Sequence, residues 1–386
     1  CYNRPMGTAS QDVLDAAPAH AAEPALPAGP RRGVPERTYP AAGLLFLFAF
    51  AFYVATLAPD LMPGDTSDMV LAAATFREAH PPGYPLYSLL GKLFVALPIG
   101  DIPYRINLMA AFLGGLSVAL VFLTLVLLTR HAMASLAGSL LFAFNYLFWT
   151  YFALAETFCL NNFFLALVTF LALLWREHHQ RSPGGARERR LLILTAFFCG
   201  LSLGNHHTMV LVFPGLLAFA GATDRAVLDV RRVGALAGWF ALGLVLPYLY
   251  LPAAALCFSD HRWEDTGTLS GVIRLFFRVA YGTLQLGPVA EYPTSPSAQA
   301  ARYFGALATQ YLWPGFILGL GGLVVAARRD RPFLLYSGAG FLLGVAFLLH
   351  ANIDPSHTGA TASIVERFYQ LPNFFFALWI ATALGE

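Results

Sequence analysis

Ten stretches of the chain are nearly free of charge, at about 41–59, 105–129, 132–150, 156–175, 191–204, 207–221, 233–256, 303–327, 332–349 and 372–386. They are apolar around their whole circumference, which is the pattern of helices surrounded by lipid and not of helices lying on a soluble core. A helix that crosses the hydrocarbon layer needs about 20 apolar residues, and most of these runs approach that length. The pattern predicts an all-α polytopic membrane protein with about 10 transmembrane helices. It shows no internal repeat and no separate soluble domain.

Arginines orient the spans, because cytoplasmic loops collect positive charge. The 176–190 loop holds Arg176, Arg181, Arg187, Arg189 and Arg190, and the 222–232 loop holds Arg225, Arg231 and Arg232. The 328–331 turn holds Arg328, Arg329 and Arg331. These, with Arg31, Arg32 and Arg37 of the tail, are expected on the cytoplasmic side. Residues 1–39 are rich in Ala and Pro and read as a disordered basic tail, with the membrane domain over 40–386. The last run stops at Glu386 before it reaches full length, so the chain is expected to continue past it.

Two cytoplasmic loops flank 191–221, so that stretch must cross an even number of times. Its two segments of about 14 residues each reach only about 21 Å, against a hydrocarbon core of about 30 Å. The pattern therefore predicts a short helical hairpin with Gly204-Asn205-His206-His207 at its tip, in or just below the outer half of the membrane. Such a tip is costly against lipid and tolerable where it lines a wet cavity. Three segments then face outward: 60–104, 257–302 and 350–371. The first is long enough for an amphipathic helix over 66–79 and an apolar piece over 86–97 lying along the interface.

Composition agrees: of 386 residues, 57% are hydrophobic and 12% charged, where soluble domains carry roughly 25% charged residues. Soluble enzymes, coiled coils and disulfide scaffolds are excluded. A net charge of +2 gives no sign of a nucleic-acid partner. Lys92 is the sole lysine, and Cys1, Cys159, Cys199 and Cys257 lack metal-type spacing, so buried free thiols are expected for Cys159 and Cys199. No P-loop, dinucleotide fingerprint or His-Glu-x-x-His motif is present.

Chemistry-bearing residues gather in the outward segments. Asp65 and Asp68 stand three apart at a helix start and share a face. Two readings stay open there: an N-cap with a first-turn acid, or a general base with a second acid that orients it or holds a metal. The rigid turn His80-Pro81-Pro82-Gly83-Tyr84-Pro85 follows. Glu156, Asn161 and Asn162 top one span, in a cap, an ion pair or a polar cavity. His206 and His207 project in different directions, which argues against a shared metal. Arg274 and Arg278, one helical turn apart, form an anion site or an interfacial stripe. Arg367 enters the last span from outside, as a phosphate contact or a snorkelling anchor.

The order of these motifs resembles the transmembrane protein 260 family, which also includes bacterial proteins of unsettled sugar and acceptor. Pro63-Gly64-Asp65-Thr66-Ser67-Asp68 and His80-Pro81-Pro82-Gly83-Tyr84-Pro85 are similar to its first outer loop, usually Gly-Gly-Asp-Ser-Gly-Glu and Ala-His-Pro-Pro-Gly-Tyr-Pro. Tyr104-Arg105-Ile106-Asn107-Leu108, Ala155-Glu156-Thr157-Phe158-Cys159-Leu160-Asn161, Gly200–Thr208, Tyr248–Pro252, Trp263 to Thr283 and Val365-Glu366-Arg367-Phe368 resemble later stretches. Asp68 and Ser67 depart from the usual Glu and Gly. The animal members continue into further segments and a repeat-containing outer domain.

The resemblance implies a GT-C glycosyltransferase-like bundle. It implies transfer of a sugar, mannose in the animal members, from a polyprenyl- or dolichyl-phosphate donor to a hydroxyl acceptor on protein or glycan. Asp65 would be the general base with Asp68 assisting, and no cofactor is required, a divalent metal beside the two acids being dispensable. His80, Arg105, Glu156, Asn161, Asn205, His206, His207, Trp263, Asp265 and Arg367 would contact donor phosphate or sugar. The rival readings are a lipid-linked sugar transporter or flippase, which usually shows repeated halves with broken helices, and an inactive scaffold subunit. Arginine in place of lysine and the absence of Asn-x-Ser/Thr sequons lean toward a bacterial inner membrane, or the endoplasmic reticulum if eukaryotic, with the site on the periplasmic or luminal side.

Overall fold

The computed structural model describes residues 34–257, 263–283, 295–350 and 365–386. Most of the expected N-terminal tail, His261 and Arg262 of the second outer loop, and most of the 350–371 loop lie outside the described residues. Among those described, every regular element is helical, as the apolar pattern predicts. In chain order they are α1 (Thr38–Ala55), α2 (Thr66–Thr75), α3 (Pro85–Val95), α4 (Ile102–Thr129), α5 (Ala132–Phe144), α6 (Tyr146–Phe152), α7 (Thr157–Arg181) and α8 (Ala186–Leu203). They continue with α9 (Phe213–Thr223), α10 (Val230–Tyr248), α11 (Tyr250–Cys257), α12 (Leu269–Phe276), α13 (Pro296–Arg329), α14 (Arg331–His350) and α15 (Gln370–Leu384).

Among the described residues, six helices are long and apolar enough to cross a membrane, α10 and α11 counting together, and seven when α5 and α6 count as one broken span. The hairpin α8–α9 and the short α15 make up the remainder of the ten apolar runs. α4, α7 and α15 are the most enclosed helices, and the core rings Phe142, Phe148, Phe152, Phe374, Phe375 and Trp379 are buried around them.

Three boundaries differ from the apolar runs. The 132–150 run breaks at Asn145, whose extended backbone and side-chain bond to the Leu147 N–H (3.1 Å) start a new helix bent by 64° from α5. Asn is a strong N-cap residue, so it can interrupt a uniformly apolar stretch. The 191–204 run begins as a helix at Ala186, because Arg187, Glu188, Arg189 and Arg190 are good helix formers that extend it into the polar zone. α8 thus has 18 residues, a length of about 27 Å. The 233–256 run is divided between α10 and α11 just past Pro247.

The arginine-rich loops converge on one end of the bundle. There Arg176 reaches Asp330 at 2.6 Å, Arg130 pairs with Glu177, and Arg232 approaches Asp224 at 3.4 Å. Asp65, His80, Glu156, His206 and Arg367 lie at the other end, where the first outer loop folds as α2 and α3 between α1 and α4. The expected free thiols Cys159 and Cys199 are buried and unpaired.

Candidate functional site

Asp65 occupies the N-cap position of α2, yet its carboxylate makes no capping bond. It reaches instead to Arg367, with Oδ2 at 2.6 Å from Nη1. Gly64, at φ +107°, supplies the left-handed turn that brings Asp65 round. Of the two readings left open by the sequence, the local cap is the one the geometry does not use.

Asp68 serves His80. Its Oδ2 accepts from the His80 backbone N–H at 2.9 Å and stands 2.6 Å from Nδ1. A carboxylate only accepts, so Nδ1 carries the proton and Nε2 faces inward, 3.9 Å from Asp65 Oδ2. The turn after His80 is closed by the Gly83 N–H to the His80 carbonyl at 2.8 Å and contains a cis Pro81–Pro82 bond. At Gly83, φ +90°, a Cβ would meet Leu275 Cδ2 at 2.7 Å, so α12 packs directly on the turn.

Glu156 sits between α6 and α7 and is almost fully buried. Its Oε1 lies 3.4 Å from Arg367 Nη1. Burial drives its carboxyl up to about 7, against the lowering pull of Arg367. Burial also disfavours charge on Arg367, but Glu156 and Asp65 more than offset it and hold the guanidinium protonated above its ordinary range. Phe158 and Phe368 each place a ring 5.6 Å from the guanidinium carbon, and among the described residues the buried Arg367 Nε has no hydrogen-bond partner. A buried N–H donor with no acceptor, beside two cation–π rings, is an arrangement suited to an incoming anion.

The hairpin tip closes one wall. Asn205 Nδ2 donates to the Thr157 carbonyl at 3.0 Å, and the Leu86 N–H donates to the Gly204 carbonyl at 3.0 Å. The tip is thereby tied to the start of α7 and to α3, covered by protein as a polar tip requires. His206 Nδ1 accepts from the Thr208 N–H at 3.2 Å, which leaves the proton of the neutral ring on Nε2. Burial first, then His207, Arg367, Arg278 and His80, keep His206 neutral. Its ring stands 4.8 Å from Phe158 and 6.0 Å from Tyr84.

The second outer loop forms the opposite wall. Glu78 Oε1 accepts from the backbone N–H groups of Trp263 (2.6 Å) and Glu264 (3.1 Å) and so clips this loop to the first. Tyr281 lies 6.4 Å from His80 and 5.7 Å from Trp263 and carries Arg278 over its face at 5.5 Å. The Arg278 Nε is a second buried donor with no partner among the described residues.

Asp65, Asp68, His80, Glu156, His206 and Arg367 are thus brought together. Trp263 stands at the margin, half-exposed. Asn161 donates to Thr208 Oγ1 at 3.4 Å and, like Asn205, acts as a strut between α7 and the tip. His207 turns away to Phe276, 4.6 Å between ring centres. Asp265 has an exposed side chain, and its carbonyl accepts from Thr268 to start α12. Arg105 is placed elsewhere: its Nε, Nη1 and Nη2 donate to the carbonyls of Ile99 (2.7 Å), Val95 (2.6 Å) and Gly100 (2.9 Å), so it closes the α3–α4 connection. An arginine at a span entrance carries no sequence mark that tells an anion contact from such a staple.

Other members of the site carry little sequence signal. Phe158 and Phe368 read as ordinary apolar residues, although each adjoins a singled-out charge. Asn162 Nδ2 donates to Gln370 Oε1 at 2.5 Å, and Gln370 Nε2 donates to the Arg367 carbonyl at 3.0 Å, so two buried amides set the backbone of Arg367. Of these, only Asn162 is marked in the sequence, beside Glu156 at the top of its span.

Comparison with known proteins bears out the resemblance to the transmembrane protein 260 family. Residues 65–225 match the family described as the protein O-mannosyl-transferase TMEM260 N-terminal domain. The chain is 32% identical over 378 residues to the Mus musculus protein named protein O-mannosyl-transferase TMEM260, covering 94% of this chain and 52% of that one. It is 27% identical over 354 residues to the Dictyostelium discoideum protein of the same name, covering 87% and 43%. The chain spans about half the length of these curated relatives. No solved structure matches it.

Proposed function

We propose that this chain, a TMEM260-type sequence by both comparisons, forms the membrane part of a glycosyltransferase with a GT-C-like bundle. It would move a sugar, mannose by analogy with the named relatives, from a polyprenyl- or dolichyl-phosphate donor to a protein hydroxyl at the periplasmic or luminal face. One observation carries this reading: Arg367 is bonded to Asp65 while its buried Nε–H has no partner among the described residues. A single guanidinium therefore joins a carboxylate suited to be a base with a donor suited to a phosphate oxygen.

The transfer is a direct displacement. The acceptor oxygen bonds to the sugar C1 as the C1–O bond to phosphate breaks, the bonding electrons leave with the phosphate, and the hydroxyl proton passes to Asp65. Arg367 steers that carboxylate through Oδ2. Arg367, Arg278 and the Nε2–H of His206 stabilise the charge that grows on the departing phosphate, in a site where burial makes each bond stronger than in water. Asp68 fixes the ring of His80 beside the base. Glu156 confines Arg367, and Tyr281 with Trp263 offers ring faces to the sugar. The phosphate is already a good leaving group, and the cations present replace a metal in this scheme.

The test is transfer from a lipid-phosphate mannose to a Ser/Thr peptide by the purified chain in detergent. The wild type is expected to form mannosyl peptide and Asp65→Asn to lose at least about 1,000-fold of the rate. Full transfer by the variant would sink the assignment of Asp65 as base.

A further inference from the structure

At the end of the bundle away from the candidate site, three side chains from three elements turn toward one point. His179 is in the last turn of α7, Glu188 in the first turn of α8, and Asp224 follows α9. His179 Nδ1 lies 2.9 Å from Glu188 Oε1 and 4.0 Å from Asp224 Oδ2. The three atoms fall within 4.8 Å of one another.

The two carboxylates are held from behind. Glu188 Oε2 accepts from the Gly184 N–H, and Asp224 Oδ1 accepts from the Ala226 N–H at 2.9 Å. In each, one oxygen is held by the backbone and the other faces His179, Asp224 Oδ2 also standing 3.4 Å from Arg232 Nη1. Outer bonds of this kind orient metal ligands and keep a site assembled. The Glu188 side chain is only 4% exposed, and a carboxylate so far from water calls for nearby positive charge. Arg232, itself half-exposed, approaches that Asp224 oxygen and would be displaced toward solvent by a bound cation.

We propose that His179, Glu188 and Asp224 form a divalent-cation site, with zinc the ion they suit best. One imidazole nitrogen and two carboxylate oxygens make a zinc donor set, whereas magnesium and calcium favour oxygen alone. Ligand atoms about 2.1 Å from a tetrahedral zinc stand roughly 3.4 Å apart, and the separations of 2.9 and 4.0 Å bracket that value. Water supplies the fourth ligand. The site does not depend on the transfer chemistry. It pins α7 to α8 at one end, while the other ends of these helices carry Glu156 and the tip residue His206.

The test uses the whole chain in detergent, stripped with chelator and dialysed. Cobalt(II) is expected to give the visible band of a tetrahedral site, and zinc to be retained at one equivalent and to raise the melting temperature. His179→Gln is expected to lose all three responses and Asp65→Asn to keep them. A zinc response unchanged in His179→Gln overturns the site. So does a wild-type chain without cobalt band, retained zinc or thermal shift, which would leave an ion triad of His179 with the two carboxylates. The wild-type cobalt spectrum decides the matter even if the variant does not fold.

Discussion

Replacing Glu156 by Gln tests the electrostatics of the site without touching the bond between Arg367 and Asp65. The Glu156 side chain is 6% exposed, and its burial moves the carboxyl from 4.5 to about 7 despite Arg367. In the unfolded chain this group binds a proton only below its ordinary value, while the folded chain holds one up to about 7. Between those limits the folded state carries more protons, so stability falls as the pH rises. Each tenfold step in proton affinity is worth about 1.4 kcal/mol, which puts the loss across the window at about 3 kcal/mol. Gln has the same shape and does not titrate. Glu156→Gln is therefore expected to melt with the wild type near pH 4.5 and to exceed it by up to about 3 kcal/mol above pH 7, a few degrees for a chain of this size. Melting followed by tryptophan fluorescence between pH 4.5 and 8 measures the difference. A variant that melts lower than wild type at pH 8 would show that the Glu156 charge is favoured, and a difference that does not change with pH would show no linked proton; either refutes the burial argument.

Asp68→Asn removes the charge that holds the backbone N–H and ring Nδ1 of His80; we expect kcat to fall about 100-fold with KM little changed and the melting temperature preserved. Arg367→Lys keeps a positive charge at one compact nitrogen but loses the separate Nε–H that stands apart from the Nη1 contacts to Asp65 and Glu156. It is expected to lower kcat/KM by about 100-fold or more in the same peptide assay. Gly83→Ala forces a left-handed backbone on an L residue and drives its Cβ into Leu275. A loss of about 1–3 kcal/mol is expected, with faster proteolysis of the 263–283 segment as it detaches from the first outer loop.

How much of this was legible beforehand depended on the range of the force concerned. Lipid acts on every residue of a span, so uniform apolar runs and an arginine bias were enough to determine the helical class, the six or seven long spans among the described residues and the end of the bundle where polar chemistry collects. Local rules also placed α2 and α3 to within a few residues. The same uniformity hid the break at Asn145, because one N-cap among apolar neighbours barely alters the pattern.

The tertiary structure decided what each charge does. By sequence alone Asp65 reads first as a cap and only second as a base; its carboxylate goes to Arg367, about 300 positions along the chain. Arg105 looked like an anion contact and proved a staple, because three carbonyls lay within reach of its fork. Arg367 became the centre of the site only when Glu156, Phe158 and the Asn162–Gln370 amides closed around it. The sequence determines which groups must avoid lipid, since that depends on each residue type. Which of them meet is set by packing between helices distant in the chain, and no local pattern records it.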